Sequence, residues 1–392
     1  MIYFDNAATT RCGKHAISAM IKYATEFFHN PSTTYAQGMA VKNEITRARE
    51  SILNALSGEG NIIYTSSGTE ANNLVVFGTK KLKESRIIIS ANEHASIALP
   101  VNVLKQKGFD VVVCPVDEYG KVKLNEFKNA LTKNTSLVSI MHVNNNTGAI
   151  NEIEKLVHLA KEVDSDILFH SDGSQAFGKM HVNLKKLNVD LYTISGHKVG
   201  ASKGIGGLFV KRGLNISPMM FGGGQEFGIR PSTENVPGIM GFAAAVNDFQ
   251  NTIDARLTRV KAIRDRLEKG FRHIRELKIL SNDDTSPYIL AVASQKVRGE
   301  LMQHALERKG ILIATGSACS SNKMSNKVAD SLGLIGNYRY GLIRISLSIE
   351  NSVDESREFL DTYIKAYKEF SGYGDRERTE RDRRSKSGSR EL

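Results

Sequence analysis

Short runs of branched and aromatic residues recur between residues 61 and 210, separated by stretches long enough for helices. The runs are "NIIYT" (61–65), "RIIIS" (86–90), "DVVVC" (110–114), "SLVSIM" (136–141), "DILFHS" (166–171), "DLYTIS" (190–195) and "GGLFV" (206–210). Helical patterns fall between them at 69–84, 95–107 and 151–163. This alternation predicts an α/β domain on a mostly parallel sheet with helices on both faces. Ligands of such sheets sit at the carboxyl ends of the strands, so the residues just after each run are the ones to read for chemistry.

A chain of 392 residues can bury a large core and is long enough for two domains. The texture changes near residue 252, where "DARLTRVKAIRDRLEKGFRHIREL" (254–277) predicts a long charged helix leading into a mixed segment. The expected division is a large α/β domain over 1–251, with an N-terminal segment able to pack on the smaller domain, a smaller α+β domain over 252–370 and a disordered charged tail over 371–392. No apolar run reaches the ~18 residues of a membrane span. "MIYFDNAATT" has neither the pattern of a signal peptide nor that of a transit sequence, so a cytoplasmic protein is expected. Cys12, Cys114 and Cys319 are odd in number and far apart, which fits a reducing compartment rather than a disulfide framework. With no CxxC and no HExxH, no metal is expected. The net charge of +11 is dispersed, and no RNA-binding signature accompanies it, so it reads as a solvated surface without direct nucleic-acid binding.

The strand ends hold a distinctive set. "TSSGTEANN" (65–73) opens a helix with Gly68 and Thr69, either as a plain helix cap or as a cradle of backbone N–H groups for a phosphate. "ANEHAS" (91–96) places His94 at the next strand end, where a histidine is ordinarily surface or core. Asn145 in "MHVNNNTG" (141–148) suits a turn and a ring contact equally well. "FHSDGSQAFG" (169–178) puts Asp172 behind a strongly apolar run, three residues before Gln175. A carboxylate at a buried strand end is costly without a cationic or protonated partner, and a pyridinium nitrogen is one such partner. "TISGHKVGASKGIGGLFV" (193–210) adds Ser195, His197 and Lys198. A desolvated lysine can form a Schiff base, and an electron-sink cofactor needs both that amine and an acid for its ring nitrogen. Lys198 with Asp172 is the pair pyridoxal phosphate requires.

From "YFDNAATT" through "NPSTTYAQG", "TSSGTEANN", "NEHAS", "SIMHVNNNTG", "HSDGSQAFGK", "SGHK", "GGGQEFGIRPSTEN" and "TGSACSS" to "LIRISL", the chain resembles the class-V aminotransferase family of fold type I. Within it, the chain is similar to the NifS/IscS-type cysteine desulfurases. The resemblance implies a large domain with a mostly parallel seven-stranded sheet, a smaller α+β domain and a homodimer. It also implies that Lys198 tethers the cofactor, Asp172 pairs with its pyridine nitrogen and His94 stacks on the ring and assists proton transfer. Asn145 and Gln175 would bond the ring hydroxyl side, and Asn145 would also face the substrate. Gly68, Thr69, Ser195 and His197 would hold the phosphate, with Thr233 supplied by the second subunit. Arg344, elsewhere an ordinary strand arginine, would clamp the substrate carboxylate as a bidentate pair.

Under the same resemblance, L-cysteine becomes alanine and its sulfur passes to Cys319 as a persulfide. The small neighbours Gly316, Ser317, Ala318, Ser320 and Ser321 would let that thiol swing toward an acceptor, an iron–sulfur scaffold or a tRNA-thiolation enzyme. Two other readings share the motifs: a lyase acting on selenocysteine or another sulfur amino acid, and an inactive relative that binds within a sulfur relay. The chain departs from the family pattern at Tyr35, Asn146, Ala201, Ser202 and Ser232, none of which carries an assigned chemical role.

Overall fold

The strands run, in chain order, β1 (Ile2–Tyr3), β2 (Gly60–Thr65), β3 (Arg86–Ser90), β4 (Asp110–Cys114), β5 (Thr135–Ser139), β6 (Leu168–Asp172), β7 (Leu191–Ser195) and β8 (Gly206–Lys211), followed by β9 (Leu277–Ile279), β10 (Ile289–Ser294), β11 (Ile311–Leu312), β12 (Ala314–Thr315) and β13 (Leu342–Ser346). The structure, a computed structural model, describes residues 1–80, 85–316 and 325–387, with the backbone alone for 325–326 and 373–387. Two compact units emerge. The larger comprises Ala7–Asn145 and Ala149–Leu257; the smaller comprises Met1–Asn6, Asn146–Gly148 and Thr258–Leu392. The division therefore follows Leu257, inside the helix Ile253–Phe271, rather than residue 251.

The larger unit holds a seven-stranded sheet in the order β2-β8-β7-β6-β5-β3-β4. Strands β4, β3, β5, β6 and β7 pair in parallel, and β8 runs antiparallel to both β7 and β2. Because successive side chains point to opposite faces, each run feeds two cores. Ile88, Val138 and Tyr64 enter one cluster, while their neighbours Ile87, Ile89, Leu137 and Ile63 enter the other. A sheet covered on both faces explains why these strands read as unbroken apolar runs. Each fully buried isoleucine contributes roughly 2 kcal/mol.

Several boundaries differ from the sequence reading, three of them for a visible reason. The helix expected over 69–84 ends at Gly78, whose carbonyl accepts from Ser217 N at 2.8 Å. A Cβ at Gly78 would lie 2.6 Å from Ser217 O, so this close approach needs glycine. Strand β6 begins at Leu168 because Asp164 Oδ1 accepts from Asp166 N at 2.9 Å and holds a turn before it. The helix expected over 254–277 stops at Phe271, freeing Leu277–Ile279 to pair with β10.

The smaller unit is built on the antiparallel sheet β12-β13-β10-β9, with β1 parallel to β11. Phe4, Phe271, Phe359 and Tyr363 meet edge-to-face or tilted at centroid distances of 5.0–6.1 Å, seating the final helix. That helix, Val353–Ser387, overturns the expectation of a disordered tail through Ser387. Extending an established helix adds one backbone bond per residue fixed, and the Arg, Glu and Lys that dominate this stretch are good helix formers. Among the described residues, no helix is long and apolar enough to cross a membrane.

Candidate active site

The carboxyl ends of β2, β3, β6 and β7 bring the candidate residues together in the larger unit. Lys198 ends the one-turn 3-10 helix Gly196–Lys198 directly after β7. Its Nζ donates to Ala7 O and Ala8 O, each at 2.6 Å. Asp172 ends β6 and is buried. Its Oδ1 accepts from Ser174 N at 2.9 Å and its Oδ2 from Asn72 Nδ2 at 2.7 Å. Both carboxylate oxygens thus have donors, which is what a buried anion needs.

Asn72 carries the connection onward. Its Nδ2 also donates to Ser96 Oγ at 2.8 Å, and Ser96 Oγ lies 2.7 Å from His94 Nδ1. Since both Asn72 amide protons are spent, Ser96 receives one and gives its own hydroxyl proton to His94. Ser96 N donates to the same Nδ1 at 3.2 Å. The network therefore assigns Nδ1 as an acceptor and leaves the neutral imidazole with its proton on Nε2. Electrostatics agree. Burial lowers the His94 pKa, with Lys198 acting in the same sense and Asp172 in the opposite one. His94 keeps an exposed face although protein packs around the remainder of the ring. Asn72 and Ser96 lie inside motifs read from the sequence, yet nothing in a single sequence marks either as the link between a carboxylate and an imidazole.

The anion-binding candidates are arranged around Gly206, which is paired with both Thr65 and Ser195. A Cβ there would lie 2.6 Å from Ser67 C, so only glycine lets the Ser67–Gly68 turn approach β8. Gly68 is buried and starts the helix Gly68–Gly78, with Ser67 Oγ capping Glu70 N at 3.2 Å; Thr69 is exposed beside it. First-turn N–H groups have no partner within their own helix. Ser195 is buried at the end of β7. His197 Nδ1 lies 3.1 Å from Thr9 Oγ1. Burial lowers the His197 pKa to about 4, helped by Lys198, Lys203 and Lys179. Three lysines acting on one imidazole make a positive field, the complement of a phosphate dianion.

The remaining candidates separate. Gln175 is buried, its Nε2 donating to Ala7 O at 2.9 Å and its Oε1 accepting from Lys179 Nζ at 2.6 Å. One amide proton of Gln175 is left for a ring oxygen. Asn145 follows Asn144, whose N donates to Ala149 O at 2.8 Å in a bridged turn. Thr233 is exposed on the segment after β8. Arg344 belongs to the smaller unit, where it is buried in β13 and Nη2 meets Asp5 Oδ1 at 2.7 Å. Cys319 lies outside the described residues. On amine, acid, imidazole and positive field together, the donor set fits pyridoxal phosphate.

The profile described as aminotransferase class-V matches residues 2–359. A protein named cysteine desulfurase IscS from Methanosarcina thermophila is 36% identical over 372 residues, covering 92% of this chain and 90% of its own. A solved NifS-like protein superposes with a TM-score of 0.86 at 32% identity, covering 92% of this chain and 98% of that one. A structure described as SspA in complex with cysteine gives a TM-score of 0.76 at 30% identity, covering 90% of this chain and 100% of that one. The chain belongs to the class-V aminotransferase family, in the branch of the cysteine desulfurases.

Proposed function

We propose that this protein is a pyridoxal-phosphate-dependent cysteine desulfurase that converts L-cysteine to L-alanine and retains the sulfur on Cys319 as a persulfide. The observation that carries the reading is the pairing of Lys198 and Asp172 at the ends of adjacent strands, both acting on His94. Its cysteine desulfurase relatives and the cysteine complex of a structural neighbour support it further.

Bound pyridoxal phosphate supplies an electron sink that loosens the bonds at the substrate Cα. Lys198 Nζ, hydrogen-bonded to the Ala7 and Ala8 carbonyls, is the amine that would hold the group. Asp172, steadied by Asn72 and Ser174, holds the ring nitrogen in its protonated form. His94 presents Nε2–H on its exposed face and is kept in that tautomer by Ser96. The Gly68–Thr69 turn, Ser195 and His197 take the phosphate, while Gln175 and Asn145 face the ring oxygen. Arg344 takes the substrate carboxylate by leaving Asp5. Cys319 attacks the substrate sulfur; an S–S bond forms as the C–S bond breaks, so cysteine and a thiol become alanine and a persulfide with all atoms accounted for.

The enzyme works as a homodimer in a reducing cytoplasm, feeding an iron–sulfur scaffold or a thiolation enzyme, with Thr233 reaching the partner's phosphate. Exposed apolar side chains on the larger unit, Ile21, Phe28, Tyr35, Phe227 and above all Phe221 at 91% exposure, are apolar surface that a second subunit could cover. In the purified enzyme, Lys198→Ala is expected to abolish the absorbance near ~420 nm of the lysine-bound cofactor. Cys319→Ala is expected to keep that colour and lose alanine production from L-cysteine by at least ~100-fold. A Cys319→Ala enzyme as active as the parent would refute the nucleophile.

A further inference from the structure

Glu93, one residue before His94, has a surrounding that a carboxylate does not fit. Its Oε1 accepts from Met141 N at 2.8 Å and lies 2.5 Å from Ser90 Oγ. Among the described residues its Oε2, sealed from solvent, has no hydrogen-bond partner. Ser90 Oγ is also 3.0 Å from Asn92 Oδ1. The orientation of Asn92 is set because its Nδ2 donates to Gly120 O at 2.8 Å, so the atom facing Ser90 is an acceptor. Ser90 thus stands between two acceptors with a single proton. If Glu93 is ionised, either Ser90 or Asn92 is left facing a lone pair, and a charged Oε2 is buried bare. If Glu93 carries a proton on Oε1, it donates to Ser90, Ser90 donates to Asn92, and Met141 N still has its acceptor.

We propose that Glu93 is a positioning residue for His94 that works as a neutral carboxylic acid, its proton joining Glu93, Ser90 and Asn92 into one chain that fixes the turn between β3 and His94. Asp172, from β6, is the charged group that acts on Glu93, and adjacent amides tie the two together. Met141 N bonds the Glu93 carboxyl and His142 N bonds the Asp172 backbone carbonyl at 2.9 Å. Burial first, and Asp172 after it, push the Glu93 pKa up to about 8, against the pull of Ser90 and Met141. A neutral Glu93 leaves Asp172 as the single negative charge at this point, which is the separation of roles expected of two neighbouring carboxyl groups. The consequence for catalysis rests on the reading of His94 and Asp172 given above; the protonation itself does not.

Infrared spectroscopy of the holoenzyme tests it. At neutral pH the wild type should show the C=O stretch of a protonated carboxylic acid, fading as pH rises through about 8 and missing in Glu93→Gln. On L-cysteine, Glu93→Ala should lower kcat about tenfold with KM little changed, and Glu93→Gln, which keeps neutrality and an acceptor for Met141 N, should recover to within about threefold of wild type. A wild-type spectrum without that band, or a Gln variant as slow as the Ala variant, overturns the proposal. The wild-type titration reports on Glu93 even if neither variant folds. The colour of Lys198→Ala reports on the cofactor whatever Glu93 does, so the two readings fail separately.

Discussion

Ser232 sits at a φ of 115°, a region where a Cβ is strained and glycine is at ease. The motif "RPSTEN" thus carries serine where the family pattern has glycine, and the backbone has kept the glycine geometry. Ser232 N donates to Gln225 Oε1 at 3.3 Å, a long bond that recovers little. Ser232→Gly is expected to stabilise the protein by about 1 kcal/mol in denaturant unfolding, since strain relief exceeds the entropy cost of the extra glycine. A destabilised variant would mean that the serine side chain is held by something other than this bond. Site residues behave differently at the same scale. Lys198 and Asp172 could be singled out as candidates because their side chains have few inexpensive uses at a buried strand end, whereas His94 stood out only through the family resemblance. Asn72, Ser96 and Glu93 could not, because asparagine, serine and glutamate are ordinary at helix starts and only their partners reveal the role.

The inner strands of the larger unit were legible as elements because both their faces are buried, which keeps the runs largely apolar. The segment from Gly222 to Asn235 was legible only as a motif, and tertiary contacts decide its shape. Glu226 anchors it, meeting Arg49 through two bonds of 2.7 and 2.8 Å and accepting from Tyr64 N at 2.8 Å. Arg49 donates in addition to Ile62 O and lies over the rings of Tyr64 and Phe227, at 4.7 and 5.1 Å. Both Glu226 and Phe227 adopt positive φ, at 46° and 61°, a conformation the anchor must hold against its own cost. Glu226→Ala leaves the Arg49 charge buried without its partner. A loss of about 3–5 kcal/mol is expected, read as a lowered urea midpoint. A loss under about 1 kcal/mol would show the segment to be held elsewhere.

For the molecule as a whole, buried histidines set the response to acid. His170 lies between Ser139 Oγ and Thr193 Oγ1 at 2.8 and 3.0 Å, and His142 Nδ1 meets Tyr192 Oη at 2.7 Å. Burial lowers both pKa values from 6.5 to about 4. In that window the unfolded chain binds more protons, so their stabilisation, present above 6.5, is lost as pH falls toward 4, at roughly 1.4 kcal/mol per pH unit for each group. Glu93 acts in reverse. Its contribution is complete below 4.5 and is lost as pH rises through about 8. Stability should therefore peak near pH 6.5, and urea midpoints that stay flat from pH 4 to 8 would contradict the assignment. What the sequence alone determined is the order of the elements and the parallel sheet, because those depend on periodicity; it offered Lys198 and Asp172 as a candidate amine–acid pair, on side-chain chemistry with few alternatives. What only the tertiary structure decided is the hydrogen-bond network that links Asp172 through Asn72 and Ser96 to His94, the neutral Glu93 behind it and the place where the chain divides. Hydrogen bonds such as that between Asn72 and Asp172, 100 positions apart, are set by how strands and helices pack, and that information resides in no local stretch of chain.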